Sequence, residues 1–201
     1  KELMAIDTFF YGSIDNPDEL QVLADRISPF LRKVLDIVAG CPAEFVLSGA
    51  NYDSAITIPS MFNKYIVPEL KYQSDYLRKK GKFLVTHTDG ENTGLLDLYV
   101  KSGFDVADSI CPFPMTKNSL KEIRDIFGNA ITIWGGIPSI CVVESSMNDY
   151  EFDKYINELF ESIGAGDHII FSVADTVPPL AKFDRILKIS KMAEKFGPVK
   201  V

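Results

Sequence analysis

The 201-residue chain is poor in the residues that most often announce a chemistry, with three cysteines, two histidines and one tryptophan. Cys41, Cys111 and Cys141 cannot all pair with one another, and no two have the spacing of a CxxC metal knuckle. With no signal peptide in view, a reducing, cytoplasmic setting is expected. Long apolar runs are missing, which excludes a membrane-spanning helix. Basic residues are outnumbered, 21 Lys and Arg against 28 Asp and Glu, for a net charge of −7. Apart from Arg78-Lys79-Lys80, nothing supplies the basic face that phosphate contacts need, so nucleic acid is not an expected partner. Small-molecule chemistry is the better expectation. With 46% hydrophobic and 24% charged residues, the composition is that of a folded protein.

What is present is a regular alternation of elements. Residues 17–39 carry Leu20, Leu23, Ile27, Phe30, Leu31, Val34, Leu35 and Val38 at helical spacing. Asn16 is placed as the N-cap, Pro17 lies in the first turn, and Gly40 ends the helix. Short apolar runs at 44–49, 82–87, 104–110, 130–134 and 168–172 then read as strands. Helices fall between and after them at 59–80, 94–102, 119–127, 149–163 and 181–196, and Gly81, Gly103, Gly128, Gly164 and Gly197 follow as stops. Continuous apolar strands joined through helices predict an α/β fold with a parallel sheet. No GxGxxG or GxxxxGKS/T loop follows the first strand, which disfavours a nucleotide-binding open sheet and favours a barrel or part of one. Residues 1–14 have no clean period and are expected to form a strand-like lead-in or the remnant of an upstream element.

In parallel α/β folds, chemistry collects after the C-terminal ends of the strands. His87 closes the second strand, and Asp89 and Gly90 follow it in a polar loop. Imidazole is a metal ligand and a general acid/base near neutral pH, and Asp89 could bring a carboxylate to the same centre. The other role open to the pair is capping, of the strand and of the next helix. Asp175, at the mouth of the fifth strand, is either a third ligand or a turn residue. Cys111 is either a soft ligand or nucleophile, or a small apolar filler. Asn51 and Asp53 suit substrate orientation or a turn. Gly135 and Gly136 either let a ligand approach the backbone or make a tight turn after the fourth strand. His168 opens its strand and is expected to be structural. Phe9, Phe10 and Tyr11 are expected in core packing.

Several segments, taken in order, resemble the uroporphyrinogen decarboxylase superfamily, which includes the corrinoid:coenzyme M methyltransferases. They are Pro59-Ser60-Met61-Phe62-x-x-Tyr65-x-x-Pro68, the run Gly81–Gly90 (GKFLVTHTDG), Gly103–Ile110 (GFDVADSI), Ile133–Ile137 (IWGGI), and Gly166–Ser172 (GDHIIFS) with Val177-Pro178-Pro179 downstream. The resemblance covers about residues 44–197. It implies a TIM (β/α)8 barrel of which this chain holds the last five βα units. The chain is then a single domain, 1–201, with a lead-in and helix over 1–40. It would be a fragment, or a truncated relative that needs a partner, either a second copy or an N-terminal complement of the barrel.

In the methyltransferase branch, His-x-Cys-Gly and a later Cys bind zinc, which activates a thiol toward a methylated corrinoid. His87 matches the first ligand and Gly90 the glycine, while Asp89 stands where the first Cys would be and the later Cys falls near Ala174 or Asp175. A His87, Asp89, Asp175 set is harder than a thiolate set and still compatible with Zn2+, and it points away from coenzyme M itself as the acceptor. The resemblance thus implies a corrinoid-linked, metal-assisted methyltransferase. It would act on a small methylated substrate or acceptor, with a separate corrinoid protein as partner. The second reading is a metal-free decarboxylase of tetrapyrrole biosynthesis. Against it, Arg26, Arg32, Arg78, Arg124 and Arg185 all fall in expected helices, and the branch's histidine falls on Ala174. The third is a barrel that binds a corrinoid or a protein without turnover.

Overall fold

The computed structural model describes residues 4–49 and 51–199. The chain divides into two compact units, residues 1–42 and 43–201. The first holds α1 (Ile6–Asp15) and α2 (Pro17–Ala39). α1 corrects the expectation of a strand-like lead-in. A ten-residue helix fits barely three turns, too few for its apolar positions to declare a period. Asn16 sits at the junction, where its N–H donates to the Gly12 carbonyl and its side chain makes no cap bond. Leu35 and Ala39 are the buried residues of α2, whereas Phe30 and Ile37 are exposed.

The second unit is built on five parallel strands in the order β1 (Phe45–Leu47), β2 (Phe83–His87), β3 (Val106–Ile110), β4 (Thr132–Ile137) and β5 (Ile169–Val173). Sequence order equals spatial order, so the sheet is wound in one direction with no reversal point. The helical segments between the strands are α3 (Pro59–Met61), α4 (Val67–Arg78), α5 (Leu96–Ser102), α6 (Leu120–Phe127) and α7 (Asp149–Ser162), and α8 (Phe183–Phe196) follows β5. Between α3 and α4 the helix widens into a π segment, Phe62–Ile66, where the Val67 N–H reaches back to the Phe62 carbonyl. Pro68, which has no N–H to donate to the turn before it, lies just beyond.

Helix boundaries follow local chemistry. Ser119 with Glu122, and Asn148 with Glu151, form reciprocal capping boxes at the starts of α6 and α7. Gly103 ends α5 in the left-handed conformation at φ 72°. Leu120, Ile123 and Phe127 bury one stripe of α6, and Val67, Leu70 and Leu77 do the same on α4.

The two faces of the sheet differ. Val46, Leu84, Thr86, Ala107 and Ile133 occupy one face and are buried. On the other, Val85 and Val106 are buried near the middle, whereas Phe45, Leu47, Phe83, Trp134 and Ile170 are exposed. Each end strand, β1 and β5, pairs with one neighbour among the described strands.

The fourth strand is longer than expected. β4 runs through Gly135 and Gly136, so these glycines lie inside a strand and not in a loop after it. Both are buried. A Cβ on Gly135, at φ 139°, would fall 2.7 Å from the Ile110 carbonyl oxygen, and one on Gly136 would meet Leu120. The bareness of Gly135 lets β4 close on the β3 bulge, where the register shifts between Asp108 and Ile110. The sequence reading missed this because two adjacent glycines look like a turn until a neighbouring backbone is known to press on them.

Candidate metal centre

The site grows from the end of β2. His87 pairs in register with Asp108 on β3, so both side chains leave the same face. His87 Nδ1 lies 2.7 Å from Asp108 Oδ2. A carboxylate only accepts, so Nδ1 donates to Asp108 and Nε2 is the nitrogen turned toward Asp175. Asp175 Oδ1 lies 3.7 Å from that Nε2. One donor atom each from His87, Asp89 and Asp175 falls within a sphere where all lie within 4.8 Å of one another.

The contact between His87 and Asp175 says something about the sheet. β3 and β4 stand between their strands, a path of roughly 14 Å at ordinary strand spacing. The two side chains, with the two residues by which Asp175 overhangs β5, close that path, so the centre bridges the C-terminal strand ends on the face that carries His87.

The loop holding Asp89 is anchored from below. The Thr88 N–H and hydroxyl both donate to the Asp108 carbonyl, each at 2.8 Å. Buried Asn92 donates to the Thr88 and Gly90 carbonyls, and its own Oδ1 accepts from buried Tyr99 at 2.6 Å. Gly90, at φ 106°, lets the loop after β1 pass close, since a Cβ there would fall 2.9 Å from the Tyr52 carbonyl oxygen. Asp53 stitches the two loops together. One oxygen accepts from the Ala55 N–H and the other from the Glu91 N–H.

Electrostatics follow from this crowding. Burial raises the Asp89 carboxyl above its ordinary range. His87 offsets part of that rise, and the Asp175 and Asp53 charges add to it. The Cys111 thiol is pushed up to about 12, by burial first and then by Asp89. It is a buried thiol and stands outside the three-residue group. Asp175 holds a left-handed backbone, φ 59°, which Asp tolerates better than most residues.

Of the residues singled out in the sequence, His87, Asp89 and Asp175 come together. Asp53 is engaged with backbone, Asn51 is exposed just beyond β1, and Gly135 and Gly136 pack inside the sheet. His168 precedes β5 at the opposite end, 3.4 Å from Thr132 Oγ1. Sequence reasoning missed Asp108. Its signal was a carboxylate inside the apolar third strand, but only strand register shows that it faces His87. It also missed the Asn92–Tyr99 anchor, because neither residue carries a motif.

No family model matches the chain, and no curated protein does. Among solved structures, a methyltransferase from Methanosarcina mazei superposes with a TM-score of 0.74 at 15% identity. The match covers 98% of this chain and 55% of that one. The α/β fold with its five-stranded parallel sheet is shared with that protein. This chain spans about half of that structure's length.

Proposed function

We propose that this chain is an arc of a TIM barrel whose rim carries a divalent metal centre for methyl transfer. The observation that carries the reading is the three-residue donor set with His87 already oriented. One imidazole nitrogen and two carboxylates fit Zn2+ and leave a position open, as catalytic sites do. Asp108 holds the ring through the nitrogen not used for ligation, an arrangement that raises ligand basicity. When bound, the ion supplies Lewis-acid polarisation of the heteroatom that gives or accepts the methyl group. His87, Asp89 and Asp175 would hold it, and the buried Asn92–Tyr99 pair keeps Asp89 in place. A methylated corrinoid, carried by a separate corrinoid protein, is the co-substrate of this reading. Winding without reversal favours the barrel over an open sheet.

The decarboxylase reading needs arginines facing the site. Arg78 binds Gly103 and Asp105, Arg124 binds Gly128, and Arg185 binds Cys141, Met147 and Asp149. All three are committed elsewhere in the second unit.

The test is metal content by inductively coupled plasma mass spectrometry. About one zinc per chain is expected in the wild type, with most of it lost in His87→Ala and Asp175→Asn. Folded wild-type protein that takes up no zinc, cobalt or iron overturns the metal centre.

A further inference from the structure

We propose that α2 carries a seam for a second copy of this chain, and that the two helices pair in parallel from Leu23 to Cys41. The inference is independent of the metal centre. Leu20, Leu23, Ile27, Phe30, Val34 and Ile37 follow one another at alternating intervals of 3 and 4 residues. That is the heptad rhythm of a helix that meets another helix, with Leu20, Ile27 and Val34 at a and Leu23, Phe30 and Ile37 at d. α1 takes the first of these, since a Cβ on Gly12 would lie 3.5 Å from Leu20 Cδ1. The rest of the seam is open. Phe30 is 66% and Ile37 71% exposed, and Leu23 and Val34 are exposed as well.

The helix is buried elsewhere. Leu35 and Ala39, its buried residues, lie on the side opposite the seam by the 3.6-residue turn. One apolar stripe is enough to seat a helix on its own domain. α2 has a second, and the second has coiled-coil spacing. Pro29, inside the helix, falls at c and so stands off the seam. Over two heptads an α-helix drifts by only about 40° from a strict seven-residue repeat, so the seam stays in line without a long supercoil.

What this seam fits is itself. In a parallel pair each layer meets its own copy, so a two-fold contact forms only if no layer repels itself. Every layer from Leu23 to Ile37 is apolar. The flanks set the direction. The g positions hold Arg26 and Lys33, and the e positions hold Leu31 and Val38. In a parallel pair each g residue lies beside an e residue of the second copy. The aliphatic stems of Arg26 and Lys33 then cover Leu31 and Val38, and the charged ends stay in water. In an antiparallel pair g faces g, which sets Arg26 and Lys33 of the two copies against each other as like charges. Ile27 and Val34, β-branched at a, also suit two parallel strands. Cys41 falls at the next a position. Its N–H still donates to the Val38 carbonyl, so it continues the last turn.

Cys41 is the reporter, because Cys111 and Cys141 are buried. The 201-residue chain is tested in a Phe45→Lys, Phe83→Lys background, which takes association through the exposed sheet face out of the reading. Sedimentation over roughly 10–200 µM should show a monomer–dimer equilibrium. Phe30→Glu with Ile37→Glu should weaken it at least tenfold, with circular dichroism unchanged because both side chains are exposed. Diamide should join the dimer through Cys41. Two thiols form one S–S bond, and diamide takes up the two protons and two electrons as its hydrazine. The joined dimer should vanish on reduction, in Cys41→Ser and in the double glutamate variant. Added to Cys41→Ser, Leu23→Cys at d should restore it, and Asp25→Cys on the outer flank should not. A chain that stays monomeric throughout overturns the proposal and leaves the seam to a different polypeptide, such as an N-terminal complement of the barrel. A dimer undiminished by the two glutamates overturns it too. A dimer joined neither through Cys41 nor in the Leu23→Cys variant overturns the parallel arrangement.

Discussion

Asp108 acts through His87 and would not touch the ion. Replacing it with Asn keeps a hydrogen-bonding group beside Nδ1 but removes the charge that makes the imidazole a better donor. Zinc affinity should fall about 10- to 100-fold in Asp108→Asn, read by competition with a chromogenic chelator. Unchanged affinity would make the pair a packing detail. Tyr99 differs, because it is buried and far down the loop's support. Tyr99→Phe strips the hydroxyl partner from the buried Asn92 Oδ1. Stability should drop by about 1–3 kcal/mol in urea unfolding. Zinc affinity should drop with it, since the Asp89 loop loses its anchor. A stability loss with zinc binding intact would confine Tyr99 to the core.

At the scale of elements, α8 is tied to the start of α7 by a single buried side chain. Arg185 donates to the Cys141 and Met147 carbonyls and to Asp149, and lies over the Phe152 ring. Arg185→Met leaves those carbonyls without donors and should cost about 3 kcal/mol or more, seen as a lower midpoint in urea. Its partner sets a pH dependence. The Arg185 hydrogen bond, then that of Lys182, holds the Asp149 carboxyl below its ordinary value of 3.8. A lowered folded-state value means that stability from this group is present above 3.8 and drains as pH falls through the lowered value. Asp149→Asn should therefore differ most from wild type near neutral pH and converge with it in strong acid. Curves that stay parallel down to about pH 2 would show that the pair is not linked to folding.

For the whole molecule, the exposed side of the sheet is the governing fact. Phe45 and Phe83 stack at 5.3 Å on that face, both about half exposed, and β1 and β5 each pair with one neighbour among the described strands. Parallel sheets are stable when both faces are covered, and bare edges recruit further strands. The 201-residue chain alone should self-associate at micromolar concentration and bind a hydrophobic dye. Phe45→Lys together with Phe83→Lys should reduce both. Sedimentation velocity decides it: a monodisperse 22.4 kDa species with no dye binding contradicts the expectation. No helix among the described residues is long and apolar enough to cross a membrane.

The sequence by itself determined whatever depends on near neighbours. Apolar runs and glycine stops placed all five strands, and the Ser119 and Asn148 caps follow from residues three positions apart. His87, Asp89 and Asp175 were legible as strand-end polar residues for the same reason. Only the tertiary structure decided that three of these strand-end groups converge, because that depends on how four paired strands and the loop after β5 are set beside one another. It also decided the orientation of the His87 ring, through a carboxylate 21 residues away, and the role of Gly135, through a backbone that comes within 2.7 Å of its missing Cβ. Trp134 shows the same division. Its place in a strand was readable from β-branched neighbours, but its exposure in the row of His87 arises from register, which is a property of paired strands and not of any one segment.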